Sequence, residues 1–423
     1  MSGSPSSTSF WHPFAPMGAV EGHEFVIDRA DDVWVWDTDG NRYLDGTASL
    51  WYSNIGHGRS EMADAIHRQM DKLEAYSAFG DLANPTVLEL SDRLVQLSDG
   101  RMGGAKVFLG AGGGDAIDTA AKLARRYWQL SGQPERIHLL SRTQGYHGTH
   151  GFGTAMAGIE PNREGLGPLM EETARTAHHD LGALEAEIER LGPESVAAFF
   201  CEPVIGAGGV HPPSEGYLEG VAELCKRHGI LLVIDSVICG FGRVGSWFGF
   251  ERWGIEPDMV TFAKGVTSGY LPLGGVLIHE RVTKPFWDSP SDPPFRHGQT
   301  YAGHSACCAA ALKNIEIMER EGLLEKVLGN EKIFYDAFTA LEGHDAVGEV
   351  RGGVGLLAAV GLDPDLLAER PSAPVELGKL VREEGVLVRP LGDGVATSPP
   401  LTAEVEHFGE ISSAIANGLE RLQ

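Results

Sequence analysis

The chain has 423 residues, 42% of them apolar, which is more than one hydrophobic core usually serves, so two lobes are expected. With 34 Lys and Arg against 59 Asp and Glu the formal charge is −25, which argues against nucleic acid and anionic membrane surfaces as partners. No run approaches the ~20 consecutive apolar residues of a membrane helix. The five cysteines, at 201, 225, 239, 307 and 308, show neither CxxC spacing nor the density of a secreted scaffold, so free thiols in the cytoplasm are expected.

In chain order, MSGSPSSTS is small and polar, lacks the basic start and apolar stretch of a secretory signal, and reads as a loose tail. Ser60 to Tyr76 reads as an amphipathic helix with Met62, Ile66, Met70 and Leu73 on one face. From about residue 55 to 310, helical periods alternate with the apolar runs AKVFL, RIHLL, SVAAFF, ILLVID, DMVTFA and GGVLI. Most of these are continuously hydrophobic, as strands covered on both faces should be. A helix from Ser214 to His228, capped by Ser214 and closed by Gly229, lies between two of them and predicts a βαβ crossover. Beyond residue 310, long helices are interrupted by the Gly-rich VRGGVGLLAAV. The expected fold class is therefore α/β, with a large lobe over residues 55–310 on a mostly parallel sheet. A smaller α+β lobe takes residues 1–54 and 311–423. His304, Cys307 and Cys308 stand at helical spacing, but the ACCAAAL run reads as packed helix and no metal site is expected.

The segment VFLGAGGGDAIDTAAKLARRYW, from Val107 to Trp128, joins a strand to a helix through glycines. Such a junction binds anions, because the first helical turn leaves N–H groups unpaired and the helix dipole favours negative charge. A Walker loop is excluded because Lys122 lies two turns into the helix, and a dinucleotide fingerprint fails because Asp115 stands where its third glycine belongs. Judged alone, the segment also fits a tight turn that binds nothing.

Asp235 closes the strand ILLVID and, 29 positions on, Lys264 follows the strand MVTFA. Singly, each fits a buried ion pair; together with a phosphate turn they have a joint task. Pyridoxal phosphate needs a phosphate cradle, an amine for a Schiff base and a carboxylate that keeps the pyridine nitrogen protonated. Asp235 and Val237, two apart on a strand, share a face, so the acid can reach the ring nitrogen while Val237 packs on the ring. Tyr146 of GYHG can stack on the opposite face, with His147 beside it.

These segments, with LWYSNIGHG, CEPVIGAGG, IDSVICGFGR, FAKGVTSGYLPLGG, HGQTYAGH and VRPLGDGVATSPPL, run in order through most of the chain. As a set they resemble the class III aminotransferases, fold type I pyridoxal phosphate enzymes built on a seven-stranded sheet. The resemblance implies that Lys264 carries the cofactor and shuttles the proton, and that Asp235 pairs with the pyridinium. It places Gly112, Gly113 and Gly114 at the phosphate, and Glu202 near the cofactor and Arg389. It implies a homodimer in which Thr300 reaches the neighbour's phosphate. Arg389 matches a mobile arginine for a substrate carboxylate. Trp51 matches a substrate-pocket aromatic of amine and omega-amino acid members, although a packing role fits it equally.

The chain departs from the family pattern NSGSEAN, where it has Ala111 to Ile117, so the hydroxyl and amide side chains of that pattern are missing. At about 1 to 3 kcal/mol for each charged hydrogen bond not replaced, weaker cofactor retention is expected. Ser236 follows Asp235 where the family has Glu, Ile205 stands where many members have Gln, and Ser305 where Pro is frequent. The expected activity is transfer of an amino group from an amine or omega-amino acid to a 2-oxo acid such as pyruvate. The alternative is a repurposed enzyme of the same fold, a decarboxylase or epimerase. A nucleotide-binding module ranks last, since it leaves Asp235, Lys264 and Arg389 without a common function.

Overall fold

The computed structural model describes residues 9–98, 100–288 and 291–422, so the expected N-terminal tail lies, apart from Ser9, outside the described residues. A seven-stranded sheet forms the centre. In chain order its strands are β1 (Lys106–Gly110), β2 (His138–Arg142), β3 (Thr173–Thr176), β4 (Val196–Cys201), β5 (Leu231–Asp235), β6 (Met259–Phe262) and β7 (Gly274–Ile278). The spatial order is β1-β7-β6-β5-β4-β2-β3. Strands β3, β2, β4, β5 and β6 are mutually parallel, and β7 runs antiparallel to both of its neighbours.

The six apolar runs of the sequence are six of these strands, and the packing explains their continuous hydrophobicity. Ala198, Phe200, Leu231 and Val233 face one side of the sheet and join Ala116, Ala120 and Ala124 of the helix Gly113–Leu130. Phe199, Cys201, Leu232 and Ile234 face the other and pack with Leu218, Val221 and Cys225 of the helix Tyr217–His228. Alternate residues are thus buried in two different cores. The strand without a sequence signal is β3, an edge strand whose four residues TART are short and polar and of which only Thr176 is buried.

Two local expectations are corrected. Ser214 caps nothing with its side chain: the helix starts at Tyr217 behind Gly216, a left-handed residue with φ 74°, and only the Ser214 carbonyl accepts from the Tyr217 N–H. Its end at Gly229, φ 66°, is as expected. The first amphipathic helix runs Ser60–Leu73 and buries Met62, but Met70 stays exposed.

Both ends of the chain meet in the smaller sheets. Strand Val386–Leu387 pairs parallel with Arg42–Asp45, behind which lie Trp34–Asp37 and Ile27–Asp31. The Gly-rich VRGGVGLLAAV is a hairpin, with Val347–Gly352 antiparallel to Ala358–Leu362, which pairs in turn with Gly394–Thr397. Arg243 joins these regions to the core. It is fully buried and donates to Asn54 Oδ1 at 3.0 Å, the Pro399 carbonyl at 2.6 Å and the Leu356 carbonyl at 3.3 Å. Asn54 in turn donates to the Phe241 carbonyl at 2.6 Å. Replacement of Arg243 by Met removes the donor to three buried acceptors, so Arg243→Met is expected to destabilise the fold by about 3 kcal/mol or more, read as a lowered urea midpoint.

Candidate active site

The parallel strands deliver their carboxyl ends to one edge of the sheet, where a cleft of about 650 Å³ opens. Open α/β sheets collect ligands at this address. Gly113, Gly114, Tyr146, His147, Glu202, Asp235, Val237, Lys264, Trp51 and Arg389 all line it. Gly112 sits just behind, as the residue before the helix.

Asp235 is the last residue of β5 and is 3% exposed. Its Oδ2 meets His147 Nδ1 at 2.8 Å, and its Oδ1 accepts from the Val237 N–H at 3.1 Å and Thr261 Oγ1 at 3.2 Å. The expectation that His147 stands beside Tyr146 at the ring face is thereby refined: its imidazole is 1% exposed and is committed to the carboxylate. Its far nitrogen, Nε2, is buried without a hydrogen-bond partner among the described residues.

Lys264 follows β6 with a left-handed backbone, φ 49°, a strained conformation for a residue with a Cβ. Burial pulls its amine down to about 8, against the opposing attraction of Asp235 and Glu202. Glu202, directly after β4, accepts from the Tyr146 N–H at 3.0 Å and the Gly206 N–H at 2.9 Å. Burial first, then Asp235, raises its pKa, while His147 and the two amides oppose the shift. Burial likewise raises the Tyr146 phenol. Arg389 is held in the wall by strand Arg389–Pro390, and its Nε is buried with no partner among the described residues.

At the glycine turn, Gly113 lies so close to Val237 that a Cβ there would stand 2.9 Å from Cγ1. Gly274 passes equally close, since its Cβ would come 2.5 Å from the Gly112 carbonyl. The backbone therefore approaches the cleft without intervening side chains. Thr300 is exposed and is not part of this chain's cleft lining. Its neighbour Gln299 accepts from the Ala111 N–H at 3.1 Å, and His297 Nε2 meets Thr119 Oγ1 at 2.8 Å, so the segment runs along the outside of the turn.

Trp51 is 3% exposed and has φ 66°, as part of a strained stretch with Ala48 at 46° and Ser49 at 58°. Asp45 holds this stretch: it accepts from the Thr47 N–H and hydroxyl at 3.1 and 3.0 Å and from the Ser49 N–H at 2.7 Å, and meets His57 Nε2 at 2.8 Å. Asp45, Thr261 and His150, which also lines the cleft, went unread in the sequence. Only His150 carried a signal there, since it follows GYHG by two residues.

The sequence model of the family described as Aminotransferase class-III matches residues 17–419. The putrescine–pyruvate aminotransferase of Pseudomonas aeruginosa is 35% identical over 408 residues, covering 91% of this chain and 88% of that protein. An (S)-enantioselective omega-transaminase from Thermomicrobium roseum superposes with a TM-score of 0.93 at 37% identity, covering 97% of this chain and 96% of that one. An amine transaminase from an uncultivated Pseudomonas species, solved with pyridoxal phosphate bound, gives 0.93 at 36% identity over 99% of both chains. The chain belongs to the class III aminotransferases, and its fold is that of the fold type I enzymes.

Its cofactor is pyridoxal phosphate. The residues present fit that group: close-approach glycines at a helix N-terminus, a buried acid at a strand end, an amine of depressed pKa, and orphaned nitrogens of His147 and Arg389 at the wall. Among the described residues no helix is long and apolar enough to cross a membrane.

A lysine reacts with aldehydes through its neutral form. With the Lys264 amine lowered to about 8, its neutral fraction rises about tenfold per pH unit below pH 8 and levels off above it. Were Lys264 the amine that captures pyridoxal phosphate, capture by the apoprotein, followed by absorbance, would reach half its limiting rate near pH 8. An ordinary lysine would show no levelling before about pH 10.

Proposed function

We propose that this aminotransferase moves the amino group of an amine or omega-amino acid to a 2-oxo acid such as pyruvate. The observation that supports this most is the convergence of Lys264, the Asp235–His147 pair, the glycine turn and Arg389 on one cleft. When bound, pyridoxal phosphate supplies an electron sink that makes the amine-bearing carbon of the substrate acidic.

The remaining work falls to the chain. Gly112, Gly113 and Gly114 would present backbone N–H groups and a helix N-terminus to the phosphate. Asp235, oriented by His147, Thr261 and the Val237 amide, would hold negative charge at the ring nitrogen, with Val237 and Tyr146 on the two ring faces. Lys264 Nζ would tether the cofactor and then take the proton from the amine-bearing carbon of the donor, a role its lowered pKa suits near neutral pH. Glu202 would fix the Tyr146 loop through the Tyr146 amide. Arg389 offers two parallel N–H groups to the carboxylate of a 2-oxo acid or an omega-amino acid, and Trp51 walls the donor side. Thr300, exposed and not part of its own cleft lining, is proposed to complete the phosphate site of a second copy, making the working unit a homodimer.

Donor added to the holoprotein without acceptor should replace the absorption of the lysine-tethered cofactor with that of pyridoxamine phosphate, and pyruvate should restore it. Turnover with carbon dioxide release and no spectral change would overturn transamination. Asp235→Asn should lower kcat by about 100- to 1000-fold, as loss of a preorganised charge does. Arg389→Ala should raise the KM of pyruvate and omega-amino acids by about 10- to 100-fold, with little effect on donors that lack a carboxylate.

A further inference from the structure

The glycine turn Gly112 to Gly114 carries no hydroxyls of its own, and the structure shows what stands beside it. The helix Gly113–Leu130 has no side-chain cap at Gly112, so Gly112 to Gly114 contribute backbone donors alone. The next residue, Asp115, is buried and adds negative charge to the same turn, where its Oδ2 accepts from the Ala111 N–H at 2.7 Å. A dianion placed there needs a cationic or strongly donating side chain nearby.

The basic side chains lining the cleft are His147, His150, Lys264 and Arg389. His147 is taken by Asp235, Lys264 stands in the field of Asp235 and Glu202, and Arg389 lies near Tyr146. His150 is the one at the glycines. A Cβ on Gly114 would meet its ring at 3.3 Å from Cδ2, 3.4 Å from Cγ and 3.5 Å from Nε2. The imidazole thus occupies the space that a serine at position 114 would enter.

The loop before it is pinned: Gly148 has φ 83°, and a Cβ there would lie 2.7 Å from the Gly114 Cα. Nor is the ring needed for the short helix Gly151–Met156, because the His150 carbonyl accepts from the Thr154 N–H while its side chain makes no capping bond.

We propose that His150 is a phosphate-binding residue of the cofactor site, its imidazole N–H replacing the hydroxyl that Gly114 has lost. The proposal rests on the reading that the glycine turn takes the phosphate. Small residue at 114 and ring at 150 then form one exchange, in which the glycine admits the ring and the ring supplies the donor.

The test is equilibrium binding of pyridoxal phosphate, and of pyridoxal as a phosphate-free probe, to the full-length apoprotein. His150→Ala should weaken pyridoxal phosphate about tenfold, the usual loss of one charged hydrogen bond, and leave pyridoxal within about twofold. The double variant Gly114→Ser with His150→Thr should recover most of that loss, while Gly114→Ser alone, crowded against the ring, should not. An equal effect of His150→Ala on both ligands, or on neither, overturns the role of His150. A wild-type protein that binds pyridoxal as tightly as pyridoxal phosphate overturns the phosphate reading of the turn itself.

Discussion

Holding the Asp235 carboxylate with only 3% of its surface open is the constraint around which the cleft is arranged. An ionised carboxylate removed from water is tolerated only when its oxygens are bonded. Here the partners come from three places along the sheet edge: His147 after β2, Thr261 on β6 and the Val237 amide just beyond β5. One acid therefore sets the relative positions of the loops that follow these strands. The same charge acts on the amine, since Asp235 is the largest influence opposing the desolvation that pulls Lys264 down to about 8. Without it the lysine would lie lower still.

A second cost is carried in the backbone. Lys264 at φ 49° and the Ala48, Ser49 and Trp51 stretch at 46°, 58° and 66° occupy the left-handed region, at about 1 to 3 kcal/mol each for residues with a Cβ. The bonds that offset this strain are local. Asp45 alone takes the Thr47 and Ser49 amides and the Thr47 hydroxyl, while Asn54 links the next segment to Arg243 and the Phe241 carbonyl. A Cβ on Gly265 would come 2.4 Å from Asn54 Nδ2, so the residue after Lys264 must be glycine for that support to sit directly beneath it. The Arg243 network thus belongs as much to the site as to the fold.

The sequence made the central sheet legible because each of its inner strands is buried on both faces and so carries an unbroken apolar run. β3 escaped because an edge strand needs no such run, and TART resembles a loop. Asp235 and Lys264 were readable for the same reason in reverse, as charges at the ends of apolar strands. Arg389 was readable only through resemblance, since the two-residue strand that holds it has no pattern of its own. Asp45 and Thr261 were not readable as site residues, and His150 only by its nearness to GYHG, because their contacts join segments up to 36 positions apart that periodicity does not encode, as with Gly114 and His150. Ser214 misled because its residue type fits a cap, whereas Gly216 already turns the chain into the helix with a backbone that Ser adopts only at a cost.

The charge of the chain bears on how the proposed substrates are told apart. At −25 the mean field of the surface attracts ammonium donors and repels carboxylate acceptors, but salt screens that field over about 8 Å under physiological conditions. Steering therefore favours the donor only in the last approach. Within the cleft the balance is different: Arg389, Lys264 and His150 face Asp235 and Glu202, and Asp235 is already paired with His147. On that reading a 2-oxo acid that has entered meets a half-buried guanidinium whose Nε has no partner among the described residues, in surroundings where one such contact outweighs the screened repulsion outside. Recognition of the acceptor is on this reading a short-range matter of Arg389, whereas the overall charge acts chiefly on how fast each substrate arrives.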